Sequence, residues 1–108
     1  MAIIVYLIYL LSIYHISLIH NMNFEFDTDK NTSNIKKHGI SFEEAKQLWQ
    51  DQNLVELPAK NVEEPRFLSI GKIKDKYWSA ITTYRNAVIR IISVRNARPK
   101  EIALYEDK

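Results

Sequence analysis

The sequence contains no cysteine, two glycines and three prolines in 108 residues. Without cysteine the chain can form neither disulfides nor thiolate metal sites, which fits a reducing compartment. It also lacks a glycine-rich phosphate loop, a His-x-x-x-His pair and a nucleophile elbow, so we expect no cofactor and no metal. The formal net charge of +2 is too small to indicate nucleic-acid binding by itself.

Charge is absent from the beginning of the chain, where residues 1–21 contain no Asp, Glu, Lys or Arg and are mainly apolar. About 20 apolar residues can cross a bilayer as a helix. Such a helix would tether the domain to the inner membrane on its cytoplasmic side, because the first lysines follow it. We favour the alternative that Met22 is the true start and that residues 1–21 are a mis-assigned upstream extension. Met22-Asn23-Phe24-Glu25-Phe26-Asp27 has the pattern of a domain's beginning, a short strand with alternating Phe.

Residues 22–108 have the length of one domain with one core, which we expect in the cytoplasm. Asp27 is a plausible N-cap for a first helix, and Gly39 is placed to end that helix in the left-handed conformation. Ser41 and Glu44 have the spacing of a capping box, which predicts a second helix that ends near Asp51.

The rest of the chain has the pattern of an antiparallel meander followed by a helix that begins at Pro99. The predicted strands are Leu54–Leu57, Arg66–Ile73, Tyr77–Tyr84 and Ala87–Arg95. The predicted class is therefore α+β, with two N-terminal helices, a four-stranded antiparallel sheet and a C-terminal helix.

Arginines interrupt or border the last predicted strand at positions 85, 90 and 95. Because side chains alternate along a strand, Arg90 and Arg95 point to opposite faces unless a bulge intervenes. An arginine on an apolar face needs a partner, since unpaired buried charge is costly. That partner is either an internal carboxylate, such as Glu101 or Glu44, or an external anion. Structural pairing is the commoner case for a single buried arginine. Three arginines at intervals of five, followed by Arg98 and Lys100, raise the weight of an anion site above that base rate.

The charges are also unevenly distributed along the chain. Acidic residues dominate residues 41–65, whereas basic residues dominate residues 66–100. A basic half beside an acidic segment is compatible with a phosphate-binding face, although a solvated surface of mixed charge is the simpler interpretation.

Several ordered motifs resemble the BrnT toxins of bacterial BrnT–BrnA type II toxin–antitoxin systems, over about residues 22–106. The N-terminal motifs are Phe24-Glu25-Phe26-Asp27, Lys30 with Asn31 and Asn34, and Lys37-His38-Gly39-Ile40-Ser41-Phe42-Glu43-Glu44-Ala45. The C-terminal motifs are Arg66, Ile70-Gly71, Tyr84-Arg85, Ile89-Arg90-Ile91-Ile92-Ser93, Arg95, Ala97, Lys100-Glu101 and Tyr105.

This resemblance implies a RelE-like ribonuclease that cleaves RNA and arrests growth until an antitoxin neutralises it. The implied partner is a BrnA-like ribbon-helix-helix protein, and operator DNA would be contacted only through that antitoxin. The apolar extension is not a feature of the family.

The chemistry of such an enzyme can be stated from the residues. RNA cleaves itself when its 2′-hydroxyl is aligned on the adjacent phosphate, so the protein must orient the attack, move protons and stabilise charge. Arginine suits the last task because its planar fork stays ionised and can hold two phosphate oxygens. The candidate catalytic residues are Arg66, Arg90, Arg95 and His38, and the candidate substrate-binding residues are Lys37, Tyr84, Arg85 and Lys100.

A second hypothesis needs no catalysis. In it the chain is an inactive toxin-like interaction domain that binds a partner protein through its basic sheet. Growth arrest and RNA loss on expression without an antitoxin would favour the enzyme.

Overall fold

The computed structural model describes residues 22–59 and 63–107. Its elements, in chain order, are β1 (Asn23–Phe26), α1 (Thr28–His38), α2 (Phe42–Ala45) with a 3₁₀ continuation (Lys46–Gln50), β2 (Val55–Ala59), β3 (Arg66–Ile73), β4 (Lys76–Arg85), β5 (Val88–Asn96) and α3 (Pro99–Glu106). The apolar extension lies outside the described residues, so its separation from the domain stays a prediction. In the described part of the chain, no helix is long and apolar enough to cross a membrane.

The five strands form one sheet in the order β1-β5-β4-β3-β2. The three neighbouring pairs from β2 to β5 are antiparallel, whereas β1 runs parallel to β5, with Phe24 opposite Ile89. The α+β class is thus confirmed, but the prediction of four antiparallel strands is wrong because it omits β1. The alternating phenylalanines before Asp27 form the short strand that their pattern predicts, but local patterns do not reveal its pairing with a segment more than sixty residues away.

The predicted helix ends are confirmed. The Asp27 Oδ1 atom accepts a hydrogen bond from the Lys30 amide at 3.0 Å, and Gly39 closes α1 with a φ of 73°. The Ser41 hydroxyl accepts from the Glu44 amide at 3.0 Å, which completes the capping box. The second helix is shorter than predicted, because after one turn it tightens into the 3₁₀ segment.

Asn34 joins α1 to the sheet. Its Oδ1 atom accepts from the Val94 amide at 3.1 Å, and its Nδ2 atom donates to the Ile40 carbonyl at 3.0 Å. The ladder between β1 and β5 stops at Phe26 and Ile91, so this buried amide satisfies a strand group beyond the end of β1. Helix α1 is therefore held against the edge of β5.

The main core lies between one sheet face and the helices α1 and α2. Phe24 contacts Trp49 edge-on and Phe26 contacts Phe42 in the same way, and both pairs pack against the strand residues of the core. Helix α3 lies on the opposite face, where Glu101 accepts a hydrogen bond from Ser79 at 2.9 Å. Since α3 covers only the Ser79 end, the remainder of that face has no helix above it in the described residues.

A bulge in β5 changes which arginines share a face. Ile81 pairs with Ser93 and Thr82 pairs with Ile91, so Ile92 has no partner on β4. The extra residue restores Arg95 to the face that carries Arg90. The prediction that these two arginines face opposite sides is therefore corrected, for the reason that strict alternation fails at a bulge.

The turn between β4 and β5 offers a test of backbone strain. Asn86 and Ala87 have φ angles of 52° and 65°, as a two-residue hairpin of type I′ requires. Alanine is disfavoured there, so Ala87→Gly is expected to raise the free energy of unfolding in urea by roughly 0.5–1 kcal/mol. The same substitution at the exposed Ala103 in α3 should lower it by about 1 kcal/mol. Effects of the same sign at both positions would contradict this account.

Candidate RNA-binding face and adjoining hollow

Three arginines from adjacent strands surround Thr83 on the sheet face opposite α1 and α2. Arg90 of β5 pairs directly with Thr83 of β4, and Arg85 follows two residues along β4. Arg66 begins β3, and the preceding Pro65 carbonyl accepts from the Thr83 hydroxyl at 2.7 Å. Strands lie about 4.8 Å apart, so the backbones of Arg66 and Arg90 are about 10 Å apart. We call Arg66, Arg85 and Arg90 the arginine face.

Two carboxylates lie among these cations. Arg85 donates to Glu64 from Nε at 3.3 Å and from Nη2 at 3.2 Å, and half of its side chain remains exposed. Arg90 approaches Glu25 with an Nη1–Oε1 distance of 3.6 Å. Arg66 makes no ion pair with any residue in the ranges 22–59 and 63–107. Long pairs between partly exposed groups contribute little stability, so an external anion can displace them at small cost.

The charges of all three arginines act on the Glu64 carboxylate. Hydrogen bonds from Arg85 lower the pKa of Glu64; burial opposes them, and the charges of Arg85, Arg66 and Arg90 lower the pKa by smaller amounts. One carboxylate therefore experiences the field of all three guanidinium groups. The position of the Glu64 side chain marks where an anion is held on this face.

A small hollow lies between α1 and the bulge of β5. Its volume is about 190 Å³, and it is lined by Lys30, Ser33, Asn34, Lys37, His38, Ile92 and Ser93. The lining contains three cationic or titratable basic groups and no carboxylate. This arrangement favours an anionic occupant as well.

The hollow and the arginine face are electrostatically connected through Asp27. The hydrogen bond from the Lys30 amide lowers the pKa of this carboxyl, and the charges of Lys30 and Arg90 act in the same direction. Asp27 thus lies within reach of one group from each region. Of these influences on Asp27, that of Arg90 is the smallest.

A family model described as "Ribonuclease toxin, BrnT, of type II toxin-antitoxin system" matches residues 26–101. The chain belongs to the BrnT family. The match covers every strand from β2 to β5, α1, α2 and the arginine face. No curated protein matches this chain.

Membership of the BrnT family identifies the chain as a ribonuclease toxin of a toxin–antitoxin system, and the structure shows how far each predicted site residue fits that description. Arg66, Arg85 and Arg90 come together, and Lys37 and His38 line the adjoining hollow. Their roles stay predictions.

Arg95 is engaged inside the protein. Its Nη1 and Nη2 atoms donate to the two oxygens of Glu101 at 2.7 and 2.8 Å. This pair confirms the predicted alternative in which one arginine is anchored by Glu101. The bulge places Arg95 on the same sheet face as the arginine face. Its guanidinium, however, is bound to Glu101 and holds α3 against the sheet.

Tyr84 and Lys100 lie away from the arginine face. Tyr84 points to the opposite sheet face, where its ring packs against Phe67 and its hydroxyl donates to Glu56 at 2.7 Å. Burial, followed by the Glu56 contact, raises the pKa of Tyr84. Lys100 lies on α3, beside a shallow groove of about 430 Å³. The structure gives neither residue a position beside the clustered arginines.

Sequence reasoning missed Glu25, Glu64 and Thr83. The carboxylates looked like ordinary surface acids, and Thr83 looked like a strand residue. The one available signal was the run Glu63-Glu64-Pro65-Arg66, in which acids stand directly before a candidate arginine. Thr83 is fully buried between strands that meet only in three dimensions.

Proposed function

We propose that this BrnT-family chain is an endoribonuclease toxin that cleaves RNA without a metal ion, by attack of a 2′-hydroxyl on the adjacent phosphate held at the arginine face. The observation that carries this proposal is the placement of Arg66, Arg85 and Arg90 around Thr83 on one sheet face, where Arg85 already holds the Glu64 carboxylate. Family membership supports the ribonuclease activity.

The arginine face supplies the binding and the charge stabilisation. As the 2′-oxygen bonds to phosphorus, negative charge grows on the phosphate oxygens, and preorganised guanidinium groups stabilise that charge more than the ground state. Arg90 takes the central position. It pairs with Thr83 of β4 on one side, and on the other side its charge also acts on Asp27. Arg66 has no described carboxylate to displace and engages the phosphate directly.

Two proton transfers complete the reaction. The 2′-hydroxyl loses a proton as the new phosphorus–oxygen bond forms, and the 5′-oxygen gains one as its bond to phosphorus breaks. The products are a 2′,3′-cyclic phosphate and a 5′-hydroxyl. His38 is the proton carrier that we assign, with Lys37 beside it, since both line the hollow next to the arginine face and imidazole exchanges protons near neutral pH.

The antitoxin is a BrnA-like ribbon-helix-helix protein that neutralises the toxin, and through which the complex contacts operator DNA. Both RNA and operator lie in the cytoplasm, which is the location we propose. If residues 1–21 are translated and span the bilayer, the domain is tethered to the inner membrane instead.

One observation favours the non-catalytic alternative. Arg85, Arg90 and Arg95 each have a carboxylate partner within the protein, as expected for structural ion pairs. The pairs of Arg85 and Arg90 are longer than that of Arg95 with Glu101, and their carboxylates are more exposed, so we prefer the enzyme. An inactive interaction domain would bind its partner protein and leave RNA intact.

Removal of metal ions is expected to leave cleavage unchanged. Purified protein should cleave single-stranded RNA at the same rate with and without excess EDTA, because the nucleophile is the 2′-hydroxyl and not a metal-bound water. The products should carry 2′,3′-cyclic phosphate ends, as measured by mass spectrometry.

The matched control is the same oligonucleotide with a 2′-deoxy sugar at the cleaved position, which should resist cleavage. Loss of activity in EDTA that Mg²⁺ restores would contradict the proposed mechanism. Absence of both RNA cleavage and growth arrest on expression without antitoxin would support the non-catalytic alternative.

A further inference from the structure

Glu64 occupies the position that the proposed function assigns to a substrate phosphate. Its two carboxylate oxygens accept hydrogen bonds from Nε and Nη2 of Arg85. The same pair of donors can bind two oxygens of a phosphate. A carboxylate and a phosphodiester both offer two anionic oxygens, so the two groups compete for the same donors.

The residue is held close to the site by its neighbours in the chain. The following residue, Pro65, accepts the Thr83 hydroxyl bond at 2.7 Å, and Arg66 begins β3 directly after it. Glu64 thus lies in the connection between β2 and β3, two residues before β3 begins, and is held beside the arginines by the bond to Pro65. Two-thirds of its side chain is buried there.

We propose that Glu64 is an internal competitor for the phosphate and thereby sets the affinity of the arginine face for RNA. In the RNA-free protein its carboxylate neutralises part of the arginine charge and holds Arg85 in place. RNA binds by displacing this carboxylate from the guanidinium. The inference rests on the proposed function, since it takes the arginine face to be the site of phosphate binding.

The test measures binding separately from cleavage. A fluorescein-labelled oligonucleotide with 2′-deoxy sugars cannot be cleaved by 2′-hydroxyl attack, so fluorescence anisotropy gives its Kd for each variant. Glu64→Gln removes the charge and keeps the shape, and should tighten binding roughly fivefold at low salt, as expected for loss of one repulsive charge near a phosphate. The gain should shrink as salt is added, because exposed charges are screened.

Glu63→Gln is the matched control, because it makes the same change in net charge at the adjacent, exposed position. It should change Kd much less than Glu64→Gln. Equal effects of the two variants, weaker binding by Glu64→Gln, or no binding by any variant would overturn the inference. The proposed function fails by a different result: wild-type protein would leave an RNA that carries its 2′-hydroxyls uncleaved.

Discussion

Arg90→Ala is expected to reduce the rate of RNA cleavage at least about 100-fold, the usual loss when one donor to a charged transition state is removed. The side chain is three-quarters buried in the face yet makes only a 3.6 Å approach to Glu25, so its guanidinium remains available to a phosphate. Arg90→Lys should recover only part of the activity, because an ammonium group keeps the charge but lacks the planar fork. Single-turnover cleavage of a defined RNA measures both variants.

The control is Arg98→Ala, which removes the same side chain at an exposed position before α3. Its cleavage rate should equal that of the wild type within error. Arg90→Ala should also melt close to the wild-type temperature, because its ion pair with Glu25 is long, at 3.6 Å, and Glu25 is itself exposed. Wild-type cleavage by folded Arg90→Ala protein would remove Arg90 from the site.

Glu101→Ala is expected to lower the free energy of unfolding by about 3 kcal/mol or more, which corresponds to a fall in Tm of more than roughly 10 °C. Glu101 is buried and accepts from Ser79, from both terminal nitrogens of Arg95 and from the Arg98 amide. Its removal leaves the largely buried Arg95 charge without its carboxylate partner and with a 3.3 Å hydrogen bond to the Asn96 carbonyl. Urea unfolding and thermal melts give the two quantities.

The pH dependence of stability provides a second readout for Glu101. Hydrogen bonds from Arg95, supported by those from Arg98 and Ser79, lower the pKa of Glu101 from 4.5 to about 2. Because the folded-state pKa lies below the unfolded one, the stabilisation is complete above about pH 4.5 and is lost as the pH falls toward 2. Glu101→Gln should weaken this dependence on acid.

A control for Glu101 is Glu43→Ala, which removes an exposed carboxylate that pairs with Lys46 within one helical turn. Its free energy of unfolding should change by less than about 1 kcal/mol. A Glu101→Ala protein as stable as the wild type would show that α3 is held by apolar packing alone. The double variant with Arg95→Ala should lose less than the sum of the single losses, since the two residues are bonded to each other.

Sequence alone predicted those parts of the fold that local chemistry determines. The caps at Asp27 and Gly39 and the capping box of Ser41 and Glu44 each depend on residues within a few positions, and each was predicted correctly. The parallel pairing of β1 with β5 was not predicted, because it joins distant segments without any hairpin signal.

The sequence predicted which cations belong to the candidate site but not how they are arranged in space. Arg66, Arg85 and Arg90 stood out in the sequence as charges beside or within apolar strands. Their convergence depends on strand order, which the sequence pattern does not specify. The bulge at Ile92 likewise has no local signal such as glycine, so alternation placed Arg95 on the wrong face.

The carboxylates of the site illustrate the same limit. Glu25 comes opposite Arg90 only through the β1–β5 register, and Glu64 meets Arg85 across a separation of 21 residues. Whether such an acid is a solvated surface group or part of a phosphate site depends on these contacts. The family resemblance predicted the activity class, whereas the competing carboxylate became visible only in three dimensions.

The most direct test of the central claim is an NMR titration that follows arginine side-chain and backbone N–H signals as a non-cleavable 2′-deoxy oligonucleotide is added. Binding at the arginine face predicts the largest shifts at Arg66, Thr83, Arg85 and Arg90, with the Arg95 side chain unmoved. Shifts confined to α3 or to the opposite sheet face around Tyr84, with the arginine-face signals unchanged, would contradict it.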